Sequence, residues 1–345
     1  MLARFLSGLG KTMVAVGVII FLFVAFQLWG TELEESQLQG DLTDELSQTL
    51  TTTPGKDSER NSDDVESTAN AEPQTLDEIT DSLGDINPAD AKKLPKPAEG
   101  ESLGVMQLKP SQNQAGIDMR KVFIEGTDKD DLKAGPGHYL GTPFPGQKGN
   151  ASIAGHRVTY GAPFHRIDEL VPGDLISMYT QQGDFTYRVL PPPADFAGEK
   201  GPAHWIVPPS DVSVLEDFGD NRLTLTACHP KYSAAKRIIV AAELVGNPAE
   251  TTAGNEADTF EVASEEGLEA AAGADETIDD LGWHPENFPS ALAWSGAAFG
   301  VWLVAFVIGL GVGSRKWIVY LVALPPFMYC LWFAFTWINR WIPSL

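Results

Sequence analysis

Residues 223–230 read LTLTACHP and carry signals for both a structural class and a chemistry. The alternation of leucine and threonine over Leu223–Ala227 is typical of a β-strand with one buried face. Pro230 cannot donate a hydrogen bond to a neighbouring strand, so we expect the strand to end there and Cys228 to lie at the rim of a barrel. A thiol at such a rim is accessible, whereas a buried structural cysteine is inert.

Short apolar and β-branched runs surround this strand over residues 105–246. Glycine, proline, aspartate or asparagine lies near most of their ends, which is the punctuation of an all-β barrel or sandwich. The 142 residues of this segment can bury about 70% of the surface that they expose when unfolded, so one proper core is expected. The other predicted strands are Val122–Ile124, Ala151–Ala154, Leu175–Tyr179, Thr186–Leu190 and Ile238–Leu244.

The segments on either side of this domain are strongly acidic. The whole chain of 345 residues has 24 Lys+Arg against 47 Asp+Glu, a net charge of −23, which makes nucleic acid an unsuitable partner. Residues 31–104 hold 19 acidic and 5 basic side chains, and residues 247–289 hold 12 acidic and none. High net charge with few apolar residues predicts two disordered linkers, 31–104 and 247–290, with short helices allowed near Gln74–Leu83 and Glu265–Ala272.

Three apolar stretches are long enough to cross a bilayer as helices. Thr12–Trp29, Leu292–Val312 and Trp317–Ile338 contain 18, 21 and 22 residues without a formal charge. A cleaved signal peptide is the alternative for the first stretch, but the stretch is long for one and no small-x-small cleavage site follows it. We therefore predict an anchor within residues 1–30 and transmembrane helices at 291–313 and 317–339.

Basic residues at the ends of these stretches predict their orientation. Arg4 and Lys11 precede the first stretch, and Arg315 and Lys316 lie between the last two. Because basic loops stay on the cytoplasmic side, both signals put residues 30–290 outside the cell. The expected location is the plasma membrane, crossed several times, with the β-domain extracellular.

The β-domain offers one thiol and several partners for it. Only two cysteines are present, which excludes a disulfide framework and a four-thiolate zinc site, and Cys330 falls within the last span. A lone cysteine is often a small core residue, but an unpaired thiol outside the cell is a liability without a use. A nucleophilic thiol needs a base such as histidine, and the domain supplies five: His138, His156, His165, His204 and His229.

The positions of these histidines in the sequence indicate which of them could act together with Cys228. His156 follows the predicted strand Ala151–Ala154, so it lies at a strand end as Cys228 does, whereas His229 should face away from its neighbour Cys228. His138, His165 and His204 lie in loop-like segments, where structural or surface roles are the default. Arg237 begins the last strand, from which a guanidinium could stabilise an oxyanion beside Cys228; the competitors for this role are Arg157 and Lys236.

These residues together resemble the sortase family. The run Thr224–Cys228, TLTAC, is similar to the sortase signature Thr-Leu-x-Thr-Cys, and Arg237 stands at the position of the sortase arginine. The segments 137–142 and 149–157 resemble the sortase region with the active-site histidine. Residues 159–164, TYGAPF, and the Cys-His-Pro run are most like the class E sortases of actinobacteria.

The resemblance implies a fold and a reaction. The fold would be the closed sortase β-barrel, and the reaction a transpeptidation on secreted proteins that end in a sorting motif such as LPXTG or LAXTG. Cys228 would attack the Thr–Gly carbonyl, His156 would transfer protons, and Arg237 would hold the substrate and the oxyanion. The acceptor would be a peptidoglycan-precursor amine or, alternatively, a pilin lysine. A thioester conserves the bond energy, so neither cofactor nor metal is expected.

Three further residues are predicted to bind substrate. Ala227 replaces the threonine that precedes the cysteine in the signature, a position that in the family lies beside the substrate. Thr226 is its neighbour in the same run. Tyr160, four residues after His156, corresponds by resemblance to a tyrosine linked to the second position of the sorting motif.

Two alternatives compete with this function. L,D-transpeptidases also place His before Cys on an extracellular β-domain, but their cysteine follows a Ser-x-Gly element that Thr226-Ala227-Cys228 lacks. A membrane-anchored barrel that only binds partners is the non-enzymatic alternative. Such a module has no reason to keep Cys228 reactive toward alkylating agents at neutral pH.

Overall fold

A computed structural model describes residues 17–52, 74–88, 91, 93–251, 287–312 and 316–341 of the chain. The chain divides into two compact units, which are described separately. Met1–Thr31 and Glu276–Leu345 form one unit, made of apolar helices in its described part. The other unit, Glu32–Asp275, contains the β-domain. The helices are α1 (residues 17–25), α2 (Thr31–Thr52), α3 (Leu76–Gly84), α4 (Lys129–Ala134), α5 (Phe288–Val312) and α6 (Lys316–Trp341).

Within the described residues, nine strands form one sheet that closes on itself, as predicted. The strands are β1 (Ser102–Leu108), β2 (Met119–Glu125), β3 (Gly137–His138), β4 (Asn150–Ala154), β5 (Leu175–Thr180), β6 (Gly183–Val189), β7 (His204–Val207), β8 (Arg222–His229) and β9 (Lys236–Val245). Their order is β6-β5-β1-β2-β3-β4-β8-β9-β7, and an additional β6–β9 pairing closes an eight-stranded barrel. Strand β7 pairs with the first half of β9, while β6 pairs with the second half.

Alternating side chains fill the barrel. Along β8, Leu223, Leu225 and Ala227 point into the core, as do Ile238, Val240 and Ala242 along β9. The intervening side chains lie on the outer face, because successive residues of a strand point to opposite sides. The functional residues must therefore be sought on the outer face of these two strands.

The prediction of a disordered linker over residues 31–104 is wrong for much of the described part. Helix α2 packs Leu42 and Leu46 against the barrel residues Val105 and Val122, in a cluster that also includes Ile79 of α3. The leucines of α2 recur every fourth residue, a stripe that the acidic average conceals. Residues 53–73 lie outside the described part.

Helix α3 confirms the short helix allowed near Gln74–Leu83. Thr75 caps its N-terminus and forms a reciprocal capping box with Glu78. The second predicted linker, 247–290, is described only at its ends. Ala249 is buried in the barrel core and its N–H donates to Gly146 O at 2.8 Å, so this linker does not begin at residue 247. The helix allowed at Glu265–Ala272 lies outside the described residues.

Helices α5 and α6 could both span a membrane. Within the described residues, Phe288–Gly309 and Trp317–Ile338 are the two stretches, each of 22 residues, that are long and apolar enough. Ala291, Ala298 and Ala305, spaced by seven residues, are buried. The predicted first span is helical at 17–25 and continues as the π-helix Phe26–Gly30, whereas residues 12–16 lie outside the described part.

Candidate active site

Strand register brings the three predicted catalytic residues to one end of three adjacent strands. Cys228 of β8 pairs directly with Arg237 of the antiparallel strand β9. On the other side of β8, the parallel strand β4 ends with the pair Ala154–Thr226, and Gly155 N–H donates to Thr226 O at 3.1 Å. Two residues after this pair, His156 has left strand β4, whereas Cys228 is still part of β8.

The neighbours of Cys228 lie on two different faces of the sheet. Arg237 lies on the same face of the sheet as Cys228, because side chains directly opposite each other in an antiparallel pair point the same way. Ala227 points the other way and is only 4% exposed, within the barrel core. Strand alternation thus puts the Ala227 methyl group on the face opposite the thiol, an orientation that does not favour its predicted contact with substrate.

Thr226 lies on the Cys228 face, at the base of a groove. Its hydroxyl shares a 2.8 Å hydrogen bond with the Tyr139 hydroxyl. Tyr139, Thr226 and Arg237 line this groove together with Ile239 of β9, the last residue of β7 and residues of the segment that follows β7; the last two groups are Val207, Pro209, Asp211, Val212, Val214 and Leu215. Burial raises the pKa of Tyr139, so its hydroxyl stays protonated beside Arg237 and Cys228.

His156 is held as a neutral imidazole. Burial lowers the pKa of His156 from 6.5 to about 4, and the positive charges of Lys133 and Lys129, both in α4, contribute to this shift. Its Nε2 atom is buried and has no hydrogen-bond partner among the described residues. Nδ1 is therefore the ring nitrogen that remains for proton transfer with a group in the groove.

Tyr160 packs against this imidazole. The two ring centroids are 5.2 Å apart and the planes are tilted by 34°. Tyr160, Gly161 and Ala162 all have positive φ, of 50°, 68° and 40°, so the loop after His156 makes a tight left-handed turn. Glu35 of α2 abuts this turn, since a Cβ on Gly161 would lie 2.6 Å from Glu35 Oε2.

Arg237 keeps an uncompensated charge. Its Nη1 donates to Ala234 O at 3.0 Å and to Lys236 O at 3.3 Å, and no carboxylate of the described residues forms an ion pair with it. Of its two competitors, Lys236 pairs with Glu199 at 3.3 Å, and Arg157 is buried against Asp168. Of the three cations, Arg237 is thus the one that can pair with the negative charge of an oxyanion.

Of the remaining histidines that were expected in loop-like segments, two lie in strands instead, His138 in β3 and His204 at the start of β7. His138 is buried between Glu125 Oε2, 2.7 Å from its Nδ1, and Pro143 O, which accepts from its Nε2 at 2.9 Å. His165 Nδ1 donates to Arg157 O at 2.8 Å. Burial lowers the pKa of His204.

Three contributors were not assigned a role from the sequence. Tyr139 lies in the segment 137–142, Asp168 lies in a short 3₁₀ turn, and Glu35 lies in the segment assigned as a linker. Only the leucine spacing of α2 could have indicated that Glu35 belongs to a packed helix. The other two depend on pairings between distant segments.

At one end of the closed barrel lie a thiol, an imidazole whose pKa is lowered and a guanidinium that has no ion pair among the described residues, an arrangement typical of cysteine-dependent enzymes. Comparison with known proteins agrees, since a model of the sortase domain matches residues 115–245. Residues 115–245 therefore form a sortase domain.

The relatives are sortases of several kinds. The chain is 31% identical over 149 residues to sortase D of Bacillus subtilis (strain 168), and this match covers 42% of this chain and 65% of the relative. It is 28% identical over 263 residues to sortase SrtE1 of Streptomyces coelicolor, covering 69% of this chain and 56% of the relative. The chain thus spans less than two thirds of each. A solved SrtF sortase from Corynebacterium diphtheriae is 32% identical, with a TM-score of 0.39, and covers 50% of this chain and 95% of that one.

Proposed function

We propose that this chain is a membrane-anchored cysteine transpeptidase. It cleaves a C-terminal LPXTG- or LAXTG-like sorting motif between Thr and Gly and transfers the protein to an amine of the cell wall. The observation that carries the proposal is the direct cross-strand pair of Cys228 with Arg237, on the outer face and beside the strand end that leads to His156.

The first half-reaction forms a thioester. With its lowered pKa, His156 is neutral at neutral pH and can take the Cys228 proton as Sγ attacks the Thr carbonyl. The negative charge that develops on the carbonyl oxygen lies on the face that carries Arg237, whose charge stabilises it. The C–N bond then breaks, and the imidazolium, strongly acidic in this buried position, returns its proton to the departing glycine amine.

The second half-reaction regenerates the thiol. An acceptor amine enters the place that the glycine leaves, and neutral His156 takes a proton from it as it attacks the thioester carbonyl. The C–S bond breaks, the new amide forms, and the proton passes from His156 to Cys228 Sγ. No oxidant, nucleotide or other energy source is needed, because one amide bond is exchanged for another.

Class E is the subgroup that we propose. Two relatives carry class E names, sortases SrtE1 and SrtE2 of Streptomyces coelicolor, and both matches extend over about 70% of this chain. Tyr160, in contact with the His156 ring, is the residue that we assign to the second position of the motif, where it would favour Ala over Pro. Thr226, at the base of the groove, is proposed to contact the substrate near Cys228.

The barrel is proposed to lie outside the plasma membrane. Helices α5 and α6 are apolar enough to cross a bilayer, and the basic pair Arg315-Lys316 between them favours a cytoplasmic turn. Arg4 and Lys11 favour the same orientation for the first span. Secreted proteins held in the membrane by their sorting signals, and a peptidoglycan-precursor amine, would then meet the enzyme on one surface.

Peptide transfer with matched cysteine variants tests this function. The full-length chain in detergent micelles is incubated with fluorogenic Leu-Ala-x-Thr-Gly and Leu-Pro-x-Thr-Gly peptides and with a glycine, diaminopimelate or pilin-lysine peptide as acceptor. Cys228→Ala should abolish transfer, whereas Cys330→Ala, which removes the other thiol of the chain, should leave it unchanged. Transfer that survives Cys228→Ala would refute the nucleophile, and a reactive thiol without any transfer would favour another enzyme class.

A further inference from the structure

A buried arginine, Arg157, follows His156 in the sequence and donates a hydrogen bond to the main chain of Cys228. We propose that Arg157 is a positioning residue, which fixes the main chain of Cys228 relative to His156 through a hydrogen bond to the Cys228 carbonyl oxygen. The proposal rests on the proposed function of Cys228 as the nucleophile, but its test does not require that a sorting peptide be cleaved.

One guanidinium joins the two segments that carry the candidate nucleophile and base. Arg157 is 3% exposed, and its Nη1 donates to Cys228 O at 3.2 Å and to His229 Nδ1 at 3.0 Å. Its Nη2 lies 3.1 Å from Asp168 Oδ1. The main chain of Arg157 is held as well, because its carbonyl accepts from His165 Nδ1 at 2.8 Å. Movement of the segment after His156 is thereby tied to movement of Cys228.

The hydrogen bond from Arg157 to Cys228 O replaces one that the β4–β8 ladder would otherwise provide. In the parallel β4–β8 ladder, Gly155 N–H donates to Thr226 O, so the next acceptor along β8 is Cys228 O and the next donor would be the N–H of residue 157. The chain turns away after Gly155, and the Arg157 side chain supplies a donor to Cys228 O instead. His156 is thus free to leave the strand while Cys228 stays anchored as though the strand continued.

Charge holds Arg157 in place. Burial alone would raise the pKa of Asp168, but the charges of Arg157 and Lys231 hold the pKa of this carboxyl below 3.8. Asp168 is therefore ionised at neutral pH, and it pairs with Lys231 at 3.6 Å as well as with Arg157. A buried guanidinium is costly unless it is paired, and the planar fork of arginine matches this set of acceptors.

Arg157 does not compete with Arg237 for the oxyanion. Nη1 and Nη2 are engaged with Cys228 O, His229 and Asp168. Nε has no hydrogen-bond partner among the described residues, but it is buried. A substrate in the groove does not reach these donors, so Arg157 acts through Cys228 and not on the reacting atoms.

Alkylation of Cys228 in two backgrounds tests the role. The full-length chain in micelles is treated with iodoacetamide at pH 7.5, and the β8 peptide is followed by mass spectrometry, which separates Cys228 from Cys330. Arg157→Lys keeps the positive charge but removes the planar guanidinium, which contacts several acceptors at once. We expect it to slow alkylation about tenfold when His156 is present and less than twofold in the His156→Gln background, since a misaligned base no longer helps the thiol. Arg188→Met, an exposed cation paired with Glu243, is the control and should change neither rate.

The outcomes separate the proposal from a general loss of structure. Equal slowing in both backgrounds, or no slowing, would overturn it, because a merely structural role is independent of His156. If Arg157→Lys does not fold, Asp168→Asn releases the anchor while keeping Arg157 and should show the same background dependence more weakly. With a cleavable peptide, Arg157→Lys should lower kcat and leave KM unchanged. The two proposals can also fail separately. If Arg157→Lys slows alkylation only when His156 is present, but the wild-type protein cleaves no sorting peptide, this proposal stands and the proposed function is refuted.

Discussion

Acidification should destabilise the barrel through His156. A group whose pKa is lowered on folding contributes stability that is full above its unfolded pKa and is lost as the pH falls toward its folded pKa. For His156 that window runs from 6.5 down to about 4. At pH 5 the unfolded histidine is almost fully protonated while the folded one is mostly neutral, so the loss relative to pH 8 is about 2 kcal/mol.

The assay compares the full-length chain with His156→Gln, whose side chain keeps polar atoms but does not titrate. Free energies of barrel opening are measured in micelles at pH 8 and pH 5 by hydrogen exchange of peptides from β8 and β9, corrected for intrinsic exchange rates. Other titrating groups are common to both proteins, so the wild type should lose about 2 kcal/mol more than the variant. An equal loss in the two proteins would show that His156 titrates near 6.5, and the lowered pKa assigned to its buried position would be refuted.

Three substitutions test the packing around the site. Ala227→Thr puts a hydroxyl in the core and should lower the free energy of unfolding by about 1–3 kcal/mol without changing peptide preference, as measured by urea unfolding and a peptide library; altered preference would contradict the inward orientation. Gln39→Ala removes two hydrogen bonds that Nε2 donates to Val122 O and Ala134 O and one that Oε1 accepts from Val122 N–H, and should cost about 2–4 kcal/mol, whereas the exposed Gln37→Ala should be neutral; equal effects would mean that α2 does not hold the barrel. Gly161→Ala should lower kcat/KM for the sorting peptide several-fold, because its Cβ would displace Glu35 and the Tyr160 turn; Gly219→Ala, with a similar φ of 78° but nothing within 4 Å, is the matched control, and a parallel loss there would assign the effect to backbone strain alone.

The part of the site that local pattern determines was predictable. Alternation along residues 223–227 predicts a strand that ends at a rim, and the structure has β8 there, with Cys228 next to its last residue. The same alternation also puts Ala227 opposite the thiol. The substrate contact predicted for Ala227 came from the resemblance to the family signature, whereas this geometric rule does not favour it.

The part that depends on long-range pairing was not predictable. The parallel pairing of β4 with β8 brings segments more than 70 residues apart into register, and it determines that Arg157 reaches Cys228 O. The lowered pKa of His156 follows from burial and from α4, neither of which a local pattern shows. Helix α2 was hidden for another reason: its acidic average dominates, although Leu38, Leu42, Leu46 and Leu50 form a regular apolar stripe.

Trapping the acyl-enzyme tests most directly that the thiol, the imidazole and the guanidinium at this end of the barrel act together. The full-length chain is mixed with a sorting peptide without acceptor, quenched in acid and digested for mass spectrometry. The account predicts a hydroxylamine-sensitive adduct of the peptide up to its threonine on Cys228, formed at a rate that falls by orders of magnitude in His156→Gln and Arg237→Met. An adduct on another residue, or one that forms at an unchanged rate in both variants, would contradict it.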